Sequence, residues 1–513
     1  MLLVKNLKRN QCKHFVTQIK KISTGFIEET NDYEEIWATA KSYKSLPGPS
    51  TTGLIKGFAK GGKYNSMRFS EIHEHLVKEY GPIYKVPGIF GRRDIVVIID
   101  PKDFEIVFRT EGARPLRRGL ECLAYYRKHY KKDLYATSLG LTNDQEEAWW
   151  NFRQKVNGVM LKPQVIRGYT TAIDEVSSDF VKRLHKLRDS NFETPPNLFF
   201  HLNTYALEAI AFITTNIRLG LLNENRDKSI DELMDNIKTF LHLLNELDIK
   251  PSMWKIYKTK KFKQLVRVLD KLHEDIEVFV DRGLKKLKEG KSNTKHICVL
   301  EKLYAIDKNV AIIMVFDSLL AGVDTTSAGA FSILYNLATN PEKQNTLRSE
   351  LFKILPEKNS PLTAENLNNT PYLKACFKES LRIMPVVAAN FRATGRNIVL
   401  KGYQIPKHTD VLMHNALTHM DEKYFPDAHS FLPERWLRSS EKYDNYNPFA
   451  YLPFGYGSRI CIGRRFAELE IRTLVARLVR NYHLEWNYPP PKIESLTINM
   501  PQGDLRLSLK DFN

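Results

Sequence analysis

The chain has 513 residues, 42% apolar and 11% aromatic, which is enough for a sizeable core and excludes wholesale disorder. Lys and Arg number 77 against 59 Asp and Glu, a net charge of +18 that points to an anionic partner: nucleic acid, a charged membrane surface or an acidic protein. Cys12, Cys122, Cys298, Cys376 and Cys461 are odd in number, widely spaced and free of C-x-x-C, which excludes a disulfide scaffold and a zinc module and indicates a reducing compartment.

In chain order, residues 1–45 form a basic head. Lys5, Lys8, Arg9, Lys13, Lys20 and Lys21 precede the first acid, Glu28, and Leu2, Leu3, Val4, Leu7, Phe15, Val16, Ile19 and Ile22 are interleaved with them. A basic, amphipathic, acid-free start is the pattern of an organelle transit peptide. It has no apolar stretch of the secretory kind. Leu46-Pro47-Gly48-Pro49-Ser50 is a stiff break, and residues 46–513 read as a single domain.

Helical periodicity runs from about Phe69 to Leu381. Short strand-like pieces stand at Ile83–Val86, Asp94–Ile99, Ile398–Leu400, Asp410–Met413 and near Leu505–Leu509. The expected fold class is mainly α with small β-sheets. The longest apolar run, Val310 to Val323, is broken by Asp317 and Ser318 and is too short and polar to span a bilayer.

Several residue patterns carry chemistry. Trp149 and Arg153 lie four apart and share a helix face. Ala321-Gly322-Val323-Asp324-Thr325-Thr326 sits inside a helix expected to begin near Asn309. A mid-helix Thr hydroxyl can leave its own helical bonding to hold a water, and a neighbouring Asp can relay protons. Glu379 and Arg382 lie three apart on one helix face; an isolated pair of this kind is ordinarily a surface salt bridge of little weight. Arg435 follows in Phe431-Leu432-Pro433-Glu434-Arg435-Trp436. In the run Phe454 to Glu468, Cys461 stands among glycines, just before a helix expected to begin around Ile462. The glycines permit a tight turn with bared backbone N–H groups, which lower a thiol's pKa. Such a thiolate can ligate a heme iron, and Arg459 is suited to a heme propionate.

The run Phe454-x-x-Gly457-x-Arg459-x-Cys461-x-Gly463 resembles the heme-binding loop of the cytochrome P450 family, and the other motifs stand in that family's order, from about Leu46 to the end of the chain. The resemblance implies the cytochrome P450 fold with heme b, whose iron takes Cys461 as axial ligand and whose sulfur Phe454 shields. Trp149, Arg153, Arg392 and Arg459 are similar to the residues that bind the propionates. Asp324 and Thr325 look like the acid–alcohol pair that guides protons to O2, with Gly322 leaving room for it. Glu379, Arg382 and Arg435 resemble a structural triad that locks the cysteine loop.

Lys374, Lys378, Arg464 and Arg465, with the Gly-Arg-Arg-x-Ala-Glu run, resemble the mitochondrial branch, which takes electrons from an acidic adrenodoxin-type [2Fe–2S] ferredoxin. The wording of Ala321–Thr326 and Asn340–Gln344 is most similar to insect members. The expected activity is insertion of one oxygen atom of O2 into a lipophilic substrate, with xenobiotic metabolism as the expected role and ecdysteroid hydroxylation as the alternative. A heme-thiolate isomerase that does not use O2 is disfavoured by Asp324–Thr325. The expected location is the matrix side of the inner mitochondrial membrane, with a peripheral membrane contact through apolar loops and basic rims. No nucleic-acid reader motif is present, and the positive charge is diffuse. Substrate contacts are expected from Leu116, Leu120, Leu123, Tyr125 and Tyr126, and from Val386, Val387 and Ala388. One departure from the family is Pro406-Lys407-His408-Thr409, where a turn glycine is common at the third position.

Overall fold

The computed structural model describes residues 33–224, 229–289, 298–443 and 445–512. The acid-free stretch that motivates the transit-peptide expectation lies outside them. Helices carry the body of the fold: α1 (Glu121–Tyr130), α2 (Glu146–Met160), α3 (Leu198–Thr215), α4 (Lys260–Lys288), α5 (Lys308–Ala338), α6 (Pro371–Ile383) and α7 (Arg464–Asn481), with shorter helices between them. The α5 helix starts where Asp307 accepts hydrogen bonds from the backbone of Asn309 and Val310, a side-chain cap that satisfies orphan N–H groups. It is apolar on all sides because it is surrounded, with α3, α6 and α7 packed against it. Val315, Phe316, Leu319, Phe331, Ile333 and Leu337 are fully buried.

Among the described residues, α5 alone is long and apolar enough to cross a membrane, but 78% of its most apolar stretch is buried inside the protein. Asp317, which interrupts the apolar run, is not solvated. Arg127 Nη2 donates to its Oδ1 at 2.6 Å and Leu141 N to its Oδ2 at 3.0 Å. A buried carboxylate persists only when compensated in this way.

The strands are short: β1 (Ile83–Val86), β2 (Ile95–Ile98), β3 (Asn390–Ala393), β4 (Ile398–Leu400), β5 (Tyr403–Ile405), β6 (Asp410–Met413), β7 (Tyr482–Glu485), β8 (Lys492–Ser495), β9 (Asn499–Gln502) and β10 (Ser508–Asp511). The order β1-β2-β6-β3 makes the largest sheet, and β4–β5, β7–β10 and β8–β9 are two-stranded. The strand expected near Leu505–Leu509 falls later. Leu505 and Leu507 lend their carbonyls to Leu198 N and Thr194 N, Leu505 in an isolated bridge to Asn197, and the ladder with β7 begins at Ser508. β5, β7, β8 and β9 left no readable alternation, being three or four residues long.

His408 occupies its turn with φ +65°, a conformation easy for glycine and strained for histidine. Its N–H donates to Thr394 O at 2.9 Å, and its carbonyl accepts from Arg118 at 3.2 Å, which hold it there. The ring is exposed. His408→Gly is therefore expected to stabilise the protein by about 0.5–1 kcal/mol, read as a higher thermal midpoint. A lower midpoint would show that the ring makes contacts worth more than the backbone strain.

Candidate active site

The cysteine loop is shaped by Gly455 and Gly457, both at φ +74°. Cys461 N donates to Phe454 O at 2.9 Å and Ile460 N to Gly457 O at 3.1 Å, closing a hairpin-like loop before α7. That helix begins at Arg464, after a short turn, and not at Ile462. The Cys461 thiol lies deep in the fold, where burial pushes it above its ordinary range. The backbone N–H groups of Gly463 and Arg464 and the charges of Arg153 and Arg117 pull the other way. At the sulfur, burial and the loop's donors therefore act in opposite directions. Cys122, Cys298 and Cys376 are sealed in the core, whereas Cys461 is exposed to open space despite its depth. Phe454 packs near the loop base, its ring 6.3 Å from that of Phe377.

Cations gather beside the thiol. Arg459 is 4% exposed and sits 4.2 Å over the Trp149 ring, with Arg153 5.8 Å from the same ring, so the fully buried indole holds both. Arg459 donates to Pro115 O, Asp144 O and Gln145 Oε1, while its Nη1 is buried without a partner. Arg153 donates to Ile460 O at 2.9 Å, and its Nε is likewise unpartnered. Burial, then repulsion from Arg117 and Arg392, pulls Arg459 down to about 8; burial pulls Arg153 and Arg117 to about 10. Arginines do not readily give up their proton, so crowding of this kind calls for anionic counter-charge.

Arg117 was missed as a member of this cluster. The sequence signal was its place in Arg114-Pro115-Leu116-Arg117-Arg118, which reads equally as a solvated run. Arg392 on β3 is placed differently from expectation. It donates to Glu111 at 2.6 Å, to its neighbour's carbonyl, Phe391 O, at 2.8 Å and to Tyr456 O at 3.1 Å. Most of its five N–H groups are committed to bracing the cysteine loop, which leaves a minor share for a ligand.

On α5, Ala321 is exposed and Gly322 and Thr325 are half-buried in an otherwise sealed helix. The core is open there. Thr325 Oγ1 donates to Ala321 O at 2.6 Å, the back-bond a mid-helix threonine makes until a ligand offers a better partner. Asp324 is 3% exposed. Its Oδ1 accepts from Asn203 Nδ2 on α3 at 2.9 Å, and its Oδ2 has no partner. Burial pushes its carboxyl up to about 6, opposed by the Asn203 hydrogen bond and the Lys238 charge. A Cβ on Gly322 would come within 3.3 Å of Ile210, so that glycine serves the close approach of α3 to α5.

Glu379, Arg382 and Arg435 meet in the core, with side chains 0%, 0% and 3% exposed. Arg382 binds both Glu379 oxygens, at 2.7 and 2.9 Å, and Arg435 binds Oε1 at 3.1 Å. Trp436 Nε1 and Leu432 N complete the set at 2.8 and 3.0 Å. On the α6 surface, Lys378 is exposed and feels the charge of Arg464, and Lys374 feels that of Lys378; Arg465 is exposed beside Arg464.

The suggested substrate contacts divide. Leu123 and Tyr126 are core residues, and Tyr126 OH is tied to Asp270 on α4 at 2.8 Å. Tyr125 packs edge-on to Trp254 and Phe262. Leu123 and Tyr126 leave the list of contacts because their surfaces are covered, whereas Tyr125 is half-buried. Leu116 and Leu120 are half-buried. Val386 lines a 340 Å³ cavity with Phe331, Met384, Leu417 and Ile493.

An iron tetrapyrrole with two carboxylate arms fits these residues. A lone open thiol, unpartnered guanidinium atoms on Arg153 and Arg459, and an opening along a core helix are the complement of such a group.

The cytochrome P450 family pattern matches residues 47–508. The chain is 40% identical over 490 residues to the probable mitochondrial cytochrome P450 12b2 of Drosophila melanogaster, covering 93% of this chain and 91% of the relative. It is 38% identical over 480 residues to mitochondrial cytochrome P450 12b1 of Drosophila acanthoptera, covering 92% and 90%. It is 37% identical over 497 residues to cytochrome P450 CYP12A2 of Musca domestica, covering 93% and 92%.

Glu379→Gln removes the charge that two buried arginines share. It is expected to cost about 3–5 kcal/mol and to yield little folded protein at 37 °C, read by thermal denaturation of the purified variant. A loss within 1 kcal/mol would mean that backbone carbonyls alone hold both guanidiniums.

Proposed function

The chain belongs to the cytochrome P450 family and is a heme-thiolate monooxygenase; we propose that it works in mitochondria, draws electrons from an adrenodoxin-type [2Fe–2S] ferredoxin and oxidises lipophilic xenobiotics. Bound through Cys461, heme b supplies the electron-transfer and O–O cleavage chemistry. The residues supply the rest. Arg459 and Arg153, steadied by Trp149, and Arg117 hold the propionates, with Arg392 behind them. Phe454 screens the sulfur. Burial raises the Asp324 carboxyl to about 6, close enough to neutral pH for its proton to be lost and regained, and Thr325 can release its back-bond to hold a water beside it.

The observation that carries the ferredoxin reading is the cationic face of Lys378, Arg464 and Arg465, all exposed, with Lys374 half-buried beside them. It lies around the start of α7, just beyond Cys461, where an acidic carrier would dock close to the thiolate. Support for the lipophilic reading comes from the cavity at Val386, whose lining is mostly apolar, with Arg68 and Glu74 among its polar members. Support for a peripheral membrane contact comes from Ile249, Met253, Ile256 and Tyr257, 44%, 39%, 63% and 56% exposed, among Lys250, Lys255 and Lys258. Apolar tips rimmed by lysine suit an anionic membrane surface, here the matrix face of the inner membrane. The mitochondrial location extends to this chain what the relatives' names say of them.

The test is product formation by the purified heme protein with NADPH, ferredoxin reductase and ferredoxin, offered lipophilic xenobiotics and ecdysteroid precursors. A parallel reaction contains the microsomal reductase. Oxidation of several xenobiotics with ferredoxin is expected. Selective hydroxylation of one steroid would make this a hormone-pathway enzyme, and turnover only with the microsomal reductase would remove the ferredoxin reading. In the same assay Lys378→Glu is expected to raise the KM for ferredoxin about tenfold at low salt, leaving the reduced CO spectrum in place.

Asp324 gives a pH prediction. Its folded value, about 6, lies above the ordinary 3.8, so its neutral form stabilises the fold at low pH, and that contribution is lost as pH rises through 6. The ionised group then costs on the order of 2–3 kcal/mol. Asp324→Asn should raise the thermal midpoint at pH 7.5, with the gain shrinking toward pH 4, while turnover falls. A gain equal at both pH values would assign the effect to packing.

A further inference from the structure

Asp324 and Asn203 form a buried pair that joins α5 to α3. The amide Nδ2 donates to Asp324 Oδ1 at 2.9 Å. Asp324 Oδ2 and Asn203 Oδ1 are both buried with no partner among the described residues. Two unmatched buried oxygens in one pair are costly unless they serve a transient donor. The choice of partner is also telling. A cation at Oδ1 would hold the carboxylate ionised, whereas a neutral amide donates one hydrogen bond and leaves the proton free to come and go.

We propose that Asn203 is the positioning residue of proton delivery: by occupying Oδ1 it assigns the transferable proton to Asp324 Oδ2, and its own Oδ1 receives the water that returns a proton from solvent. The inference rests on the acid role given to Asp324 above. In the step, the Oδ2–H bond breaks, its proton forms a new O–H bond on a water held by the Thr325 hydroxyl, and the carboxylate left behind is held by the amide N–H. A proton from solvent then restores the Oδ2–H bond. No electrons move.

The surrounding charges leave this pair isolated. Glu208, on α3, is bound by Arg218 Nε and by Leu221 N, and Asp317, on α5, by Arg127. On α6, Glu379 is bound by Arg382 and Arg435. Burial pushes the Glu470 carboxyl on α7 well above its ordinary range and pulls His273 on α4 down to about 4. Arg153 on α2 belongs to the cation cluster. Lys238, exposed on the Ser229–Leu244 helix, is the charge that acts on Asp324. It marks the solvent side of the path.

The test uses the heme-loaded protein and two readouts, infrared titration of the protonated carboxyl band and steady-state kinetics. Asp324→Asn identifies the band by abolishing it. In the wild type the band should fade around pH 6. In Asn203→Leu, which removes the donor but keeps the volume, the midpoint should rise by about one pH unit, because the bond that favours the anion is gone. The same variant should lower kcat about 10- to 100-fold with KM unchanged, and Asn203→Gln should recover part of it. Asn203→Ala reads the same quantities should the Leu variant fail to fold.

An unmoved midpoint with unchanged kcat, alongside an impaired Asp324→Asn, would overturn the positioning role and leave the acid role standing. An Asp324→Asn variant with full turnover would instead remove the reading on which the inference depends.

Discussion

The carboxylate of Glu379 is the point on which the site depends. It is a charge taken wholly out of water, and its survival requires every lone pair to be met. Two guanidiniums, an indole N–H and a backbone N–H meet them. Those same guanidiniums reach on to the carbonyls of His419, Ala428, Ser430 and Pro426. One buried anion thus pins α6 to the looping segment that precedes the cysteine. Tyr451 OH then donates to Lys378 O at 2.9 Å, and the Phe377–Phe454 contact continues the connection. The thiol inherits its position from a network that never touches it.

The second charge cluster is built on the opposite logic. Around Glu379 the charges balance internally. Around Cys461, Arg117, Arg153 and Arg459 face one another with Glu111 already taken by Arg392. Repulsion among buried cations is a standing cost unless an anion is supplied from outside. The balanced cluster belongs to the fold and the unbalanced one to the ligand. Heme, with two carboxylates, is the group whose binding relieves the repulsion, so cofactor capture and local stability are coupled.

Much of this was legible in the sequence, for a physical reason. Motifs with fixed local spacing, such as Glu379–Arg382, Trp149–Arg153 and the glycine-flanked Cys461, put their residues on one helix face or in one turn without help from the rest of the chain. The β1, β4 and β6 strands stand at the bounds of short strand-like pieces in the sequence. What escaped depends on distant partners. Arg117 becomes part of the site only because its loop folds back against Arg392 and Arg153. Asn203 lies more than a hundred residues from Asp324, and an asparagine on an apolar helix carries no sign of its partner. At the thiol, sequence shows the donors nearby but not the burial that opposes them.

The α5 helix carries two buried acids two turns apart, Asp317 and Asp324, which look alike in the sequence and lie near the same face. Their partners make them different. Asp317 faces Arg127, and its second oxygen takes Leu141 N, so both of its oxygens are matched. Asp324 faces only an amide, and its second oxygen is bare. Burial acts on both, but the guanidinium returns in Coulomb energy what burial takes, and the amide returns only part. One helix therefore bears an acid with both oxygens matched, which anchors structure, and an acid with one oxygen left open. The distinction lies in the neighbour each carboxylate meets.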